Sequence, residues 1–530
     1  MLITTELRQA WTAFRRPGRL TALAAAALVV ISLGVLTALG HRVSCDGPCP
    51  VDPIAPDGST VSDQFFFYHR DLGPTGSITA RLTSMTGTIT YPPPDHDRIV
   101  PGLVPWAKAG IIVKDGLRQG SSYAAVMMTG HHGVRMQHDY RYDVAGRAGG
   151  VTAESPVWLR LTRAGDTITG YESSDGRQWS TVGTAVLHGL PDTVQVGLFA
   201  ASPGDLTLQR VGLGGAIQQS RFTQADGTFD TVGLDGAKPG VWRAEAVGEM
   251  NHTDWEKHHN PSGVIEAKGT ITVSGTGDIG PIGDNGGVAA ERLLPGLTIA
   301  LLIVLVVAAR FGATDRRPAG APDRGSAGAT GGRRDPGTAV TRSVLAARAV
   351  VAGTAAWLTG VVAVGIVVPV GVAILKHNGV PVLGVSVLTG VRLVVGVAIV
   401  LALAAVLAFG LGALMRRGRA AIMVATALIA VPYALAALPL LPDAVAQWLL
   451  RVTPAAGFAV QQTVVEYPQV LRHYAPSGGY FPLPGWAGLA VLGTYTAVVM
   501  AVALRGRPSG TDGAPTRPFP AGVPSAPRIG

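Results

Sequence analysis

Six long apolar runs in this chain of 530 residues contain no aspartate, glutamate, lysine or histidine. They lie at residues 20–39, 293–309, 349–375, 393–415, 420–441 and 486–504. Carriers driven by protons or sodium ions place ionisable groups at membrane depth, so this absence argues against a proton relay in the runs. A second absence is the phosphate loop. No G-x-x-x-x-G-K-[ST] occurs, and the few lysines, Lys108, Lys238 and Lys376 among them, follow no such pattern. ATP hydrolysis would then belong to another chain, and this one is expected not to be an enzyme. Cysteine is nearly lacking too, with Cys45 and Cys49 just beyond the first run. An oxidising setting outside the cell would pair them as a disulfide. A lone C-x-x-x-C lacks the further ligands of a metal site.

Charge is also scarce. Only 15% of the residues are charged, where a soluble globular chain carries about 25%. A bilayer core roughly 30 Å thick takes about 20 apolar residues to cross as a helix. Five of the runs reach that length; the second is short and interrupted by Pro295-Gly296. In lipid the backbone must satisfy its own hydrogen bonds, so each run is predicted to be a helix. The arginines fix the orientation. Arg8, Arg15, Arg16 and Arg19 precede the first run, Arg316, Arg317, Arg324, Arg333, Arg334 and Arg342 separate the second from the third, Arg416, Arg417 and Arg419 separate the fourth from the fifth, and Arg505 and Arg507 follow the sixth. With six spans these segments fall on one side, which the positive-inside rule makes cytoplasmic, with both termini there. The net charge of +9 thus reads as topology in the plasma membrane. No basic-aromatic module accompanies it, so nucleic acid is not an expected partner. The first run is longer than a signal-peptide core and is expected to be retained.

Between the first two runs lie about 250 residues of another character. Apolar residues alternate with polar ones, as in Ile78, Ala80 and Leu82 or Val194, Val196 and Leu198, and turn signals such as Asp115-Gly116 and Asp175-Gly176 punctuate them. Short alternating strands predict an antiparallel β-sandwich over 60–215. Residues 216–290 read as a smaller β unit with Trp242 and Trp255 to bury, and 312–341 and 507–530 as flexible segments rich in Gly, Pro and Ala. The predicted class is therefore a polytopic α-helical membrane protein of six transmembrane helices with an inserted all-β extracytoplasmic sandwich. Its segments are 1–41 (interfacial helix and first span), the two β units, 291–311 (second span), the linker, and 342–506 (four-helix core). At the N-terminus Ile3, Leu7, Trp11 and Phe14 share one helical face, as in an amphipathic helix lying in the inner membrane interface.

Candidate chemistry in the β region is sparse. Glu172 and Asp175 flank a turn and have no partner to make a glycosidase pair. His131, His132, His138, His258 and His259 lack a matching carboxylate spacing for metal, and Trp106, Trp158 and Trp179 read as core aromatics rather than a sugar-stacking platform. No cofactor is expected.

The last 190 residues carry the stretches VLAARAVV (344–351), GALMRR (412–417), WLLRVTPAAGF (448–458) and YFPLPGWAG (480–488). In content, order and spacing they resemble actinobacterial ABC-type exporter permeases of the second class. The stretches PWAKAG (105–110), WLRLTR (158–163) and YESSDGRQW (171–179) resemble concanavalin A-like lectin/glucanase sandwiches. The first resemblance implies a half-transporter: permease chains pair as homo- or heterodimers in the lipid bilayer, and a separate ATP-binding ABC ATPase subunit drives export of an apolar substrate. It places ATPase coupling at Leu7, Trp11 and Phe14 and at Asp315, Arg316 and Arg317. Many relatives carry a segment like T-x-E-Y-R-R after the second span; here GATDRR (312–317) departs from it. The outer domain would bind cargo, a glycan or a partner protein. The rival reading is a membrane-anchored carbohydrate receptor without transport. A membrane-bound glycosidase has only the sandwich resemblance behind it, and fold alone does not give function.

Overall fold

A computed structural model describes residues 2–42, 52–91, 98–237, 240–248, 261–282, 287–314 and 342–505. Cys45, Cys49, Asp315, Arg316 and Arg317 lie outside the described residues, as do His258, His259 and Trp255.

Nine α-helices are described: α1 (Leu2–Phe14), α2 (Pro17–Gly40), α3 (Leu297–Ala313), α4 (Arg342–His377), α5 (Val387–Met415), α6 (Gly418–Leu428), α7 (Ala430–Ala437), α8 (Asp443–Val452) and α9 (Gly485–Arg505). Five stretches are long and apolar enough to cross a membrane: α2, α4, α5, α6 with α7, and α9. The second run falls short. Pro295 and Gly296 form a turn after the 3-10 segment Ala290–Leu293, so helix starts only at Leu297. Its 17 residues cover about 26 Å at 1.5 Å each. A membrane-helix layout is thus present, with five full-length spans and one shorter apolar helix in place of six alike.

Lipid gives apolar helices no reason to associate, so close contact must come from small residues. A Cβ on Gly312 of α3 would collide with the Phe409 carbonyl of α5, and one on Gly412 of α5 with the Ala309 carbonyl of α3. These reciprocal glycines bring the two backbones together. The region after α8, between the fifth and sixth apolar runs, turns back into the bundle. The 3-10 segment Pro454–Gln461 is buried throughout, with Gly457 against Leu492 and Val460 over Gly396 and Gly485.

The β-rich domain is built on one long strand, Phe65–Thr90. Antiparallel neighbours Val157–Ala164, Val194–Ala201, Gly215–Ala237 and Arg243–Val247 pair along its length. The strands from Gly215 to Gly275 belong to the same hydrogen-bonded sheet, while Ile279–Pro281 pairs with Val61–Asp63 in a separate two-stranded one. The division expected at 215 is therefore not a division of the sheet: Gly215–Ala237 runs alongside the long strand from Thr90 back to Leu72. Side chains alternate between two buried faces. Tyr68, Ile111, Val126 and Leu198 fill one; Phe65, Phe67, Ile112, Tyr123 and Phe199 fill the other.

Candidate functional site

Where α4 ends and α5 begins, the helices separate around a cavity of about 670 Å³. Gly365, Val368, Pro369, Val372 and Lys376 line it from α4, at spacings of three and four that make one helical face. Gly390, Val391 and Val394 line it from α5. Its outer wall is the loop 382–386, which ends at Ser386, whose hydroxyl accepts the Thr389 amide at 3.2 Å and caps α5. Behind the same loop lies a polar pocket of about 300 Å³ at the foot of the β-domain. Asp57, Ser59, Arg141, Thr463 and Tyr467 line it, and Arg141 pairs with Asp57 at 3.0 Å. Leu383, Gly384, Val385 and Ser386 are common to both. An apolar compartment and a polar one thus share a wall four residues long.

The wall is tied to the segment that leads from the β-domain into α3. Val288 N donates to Pro381 O at 2.8 Å and Leu383 N to Val288 O at 3.2 Å. Beside it Glu291 accepts a hydrogen bond from the Thr463 hydroxyl, while Gln461, 4% exposed, leaves its Nε2 without a partner. Sequence reading passed over this polar knot because Glu291 stands two residues outside an apolar run and looks like an ordinary flank. Further contacts join domain and bundle: Gln469 Nε2 donates to Arg141 O at 3.1 Å, and His473 N to Gln218 Oε1 at 3.0 Å.

Helix α1 lies against α4. Phe14 is buried, its ring edge-on to Phe311 at 5.2 Å, and Leu7 packs partly into the same core. Ser343 of α4 donates to Glu6 at 2.6 Å. Trp11 is 45% exposed. Of the three coupling residues expected here, two face the bundle and one faces away from it.

In the β-domain, Asp175 works as a turn residue. It accepts the amides of Arg177 at 2.8 Å and Gln178 at 2.9 Å, which hold its carboxyl below the usual range. Glu172 accepts the Arg147 amide at 2.8 Å. Trp106 is buried and stacked on His132 at 4.1 Å. Trp179 is half-buried, with the Arg160 guanidinium 3.9 Å above its ring. The second buried face carries ions that sequence reading did not single out. Lys114 Nζ, fully buried, donates to Asp63 at 2.6 Å, to Ser121 O at 3.1 Å and to Tyr140 at 3.0 Å. Tyr140 in turn donates to Asp63 at 2.7 Å. Burial lowers the Lys114 pKa against the pull of Asp63 and raises that of Tyr140. Lys108 pairs with Asp278 and donates to Ile279 O at 2.8 Å.

No family model matches the chain, and no curated protein does. The chain is similar in part to several solved structures. A functionally unknown protein from Saccharomyces cerevisiae is 15% identical over 39% of this chain and 92% of its own, with a TM-score of 0.20. The GH43 protein BlXynB from Bacillus licheniformis is 14% identical over 31% of this chain and 28% of its own, with a TM-score of 0.19. SCP-B, an eqolisin-family peptidase in complex with a tripeptide, is 8% identical over 41% of this chain and 99% of its own, with a TM-score of 0.24. Likeness at that level assigns this chain neither fold nor chemistry. It does correct one expectation. Peptidases and a glycoside hydrolase stand among the similar structures, so the exclusion of enzymatic activity drawn from the sequence is withdrawn.

Proposed function

We propose that this chain is the permease subunit of an ATP-driven ABC exporter, paired with a second permease chain and powered by a separate ATPase subunit. In this reading six helices span the plasma membrane, α3 included, with both termini in the cytoplasm and the β-domain, a sandwich, outside. The observation that carries the proposal is the apolar cavity between α4 and α5, set between apolar runs free of acids, lysine and histidine, with Lys376 just beyond the end of one, and walled off from a polar pocket under the β-domain. A substrate with an apolar part fits the first compartment. Its release toward the outer domain fits the second, where cargo, a glycan or a partner protein would be bound.

The energy source is proposed to dock on α1, with Trp11 as the anchor and the segment 315–317 as its neighbour. An exposed tryptophan anchor is worth about 2 kcal/mol or more at an interface. Trp11→Asp should therefore reduce ATPase recovered by pull-down from membranes about 30-fold, while α1 stays seated through Phe14 and Leu7. Crosslinking in native membranes decides the matter. If no ATPase is recovered with the unaltered chain, the receptor reading replaces this one.

A further inference from the structure

Glycines at the tight helix contacts of the bundle are there because a neighbouring backbone leaves no room for a side chain, as at Gly312, Gly412 and Gly488. Gly365 and Gly390 are different. Both line the cavity between α4 and α5, yet a Cβ on Gly390 would touch nothing within 4 Å and one on Gly365 only Val394 at 3.9 Å. Glycine inside a helix is less stable than alanine, and no close approach offsets that cost at these two positions. What they do is keep a groove open. From Gly365 to Lys376 the groove follows α4 for about 16 Å at 1.5 Å per residue, close to the ~15 Å depth of one leaflet's hydrocarbon. Its walls are valines, and at its floor Pro369 cannot return the helical hydrogen bond to the Gly365 carbonyl. At its outer end Lys376 is exposed, and among the described residues it is the sole charged one lining the groove.

We propose that the groove holds an acyl chain of a phosphate-headed anionic lipid at the level of the outer leaflet, with the phosphate at Lys376. The inference rests on the orientation given under the proposed function and deepens it by naming the substrate class. Length, apolar walls and a single cation at the interface fit such a lipid; a zwitterionic lipid would bring a second positive charge to Lys376.

The test uses the full chain in an uncharged maltoside detergent, with fluorescent phosphatidate as the probe and phosphatidylcholine of the same chains as the reference. Phosphatidate should bind about tenfold more tightly, and Lys376→Glu should abolish that preference. Gly390→Leu, whose side chain enters open space, should weaken both lipids by about tenfold or more while melting like the native chain. Gly365→Leu fills the same groove if Gly390→Leu does not fold. Equal binding of the two lipids by the native chain, or native-like binding by a folded filling variant, overturns the proposal. Binding is read without any ATPase, so the two readings fail separately. A chain that selects phosphatidate but recovers no ATPase keeps the groove and loses the exporter. One that recovers an ATPase without selecting phosphatidate loses the groove and keeps the exporter.

Discussion

The β-domain and the helical bundle solve the same problem, holding chain segments together out of water, by opposite means. The domain buries whole ions: Lys108 and Lys114 are fully covered, and each reaches an aspartate near one end of the domain's chain, Asp278 and Asp63. The bundle keeps its apolar runs free of acids and lysine and relies on backbones brought together by glycine. The difference follows from the surroundings. In the β-domain, strands exclude water from each other and can define position with charge. In lipid an unpaired ion is too costly, and small residues are what allow tight contact.

The comparison breaks most readily at Asp63. Asp63→Ala strips the partner from a buried ammonium, an error that costs about 3–5 kcal/mol. Denaturant melts of the full chain should show that loss in the β-domain transition, with the double change Asp63→Ala, Lys114→Met recovering most of it. A melt within about 0.5 kcal/mol of native would mean that the ions do not organise this face.

In the bundle the corresponding error is an added methyl. Gly312→Ala or Gly412→Ala forces α3 away from α5 and should cost about 1–3 kcal/mol. The two changes act on one contact, so the double variant should fall short of their sum. Additive losses would place the two glycines in independent contacts.

The smallest effect is a pH dependence confined to the β-domain. His69 is fully buried, 2.8 Å from Gln195 and 3.8 Å from Glu245. Burial lowers its pKa, against the opposing pull of these two neighbours. The unfolded chain therefore takes up the proton first. The stability due to neutral His69 is complete above its unfolded pKa of about 6.5 and declines as pH falls from there toward the folded value. Melts at pH 7.5 and 5.5 should differ in the native chain and less in His69→Gln. An unchanged slope in that variant would assign the acid sensitivity to another group.

Much of this was legible in the sequence because lipid imposes one rule on every span. Uncharged length marked α2, α4, α5, α6 with α7, and α9. It overstated the run at 293–309, where Pro295 and Gly296 delay the helix. Alternation marked the strands exposed on one side, but Lys108–Lys114 and Tyr123–Thr129 are covered on both sides and lose the period-two signal. The buried segment Pro454–Gln461 was invisible, since eight residues, five of them Ala, Gly or Pro, are too few to read as a span. The Lys114–Asp63 pair joins residues 51 apart, and no local pattern announces such a contact. The open groove at Gly390 was equally hidden: a glycine that packs and a glycine that makes room are the same letter.

The two hydrogen bonds between Val288 and the loop 381–383 set how the groove's wall can move in time. Val288 and Leu383 each hand an amide proton to the opposite strand, so neither proton meets solvent while the wall is seated. Deuterium uptake at these two amides should then proceed together, as one event, and at the rate at which the wall lifts. They make a clock for that motion, readable without knowing what the groove holds.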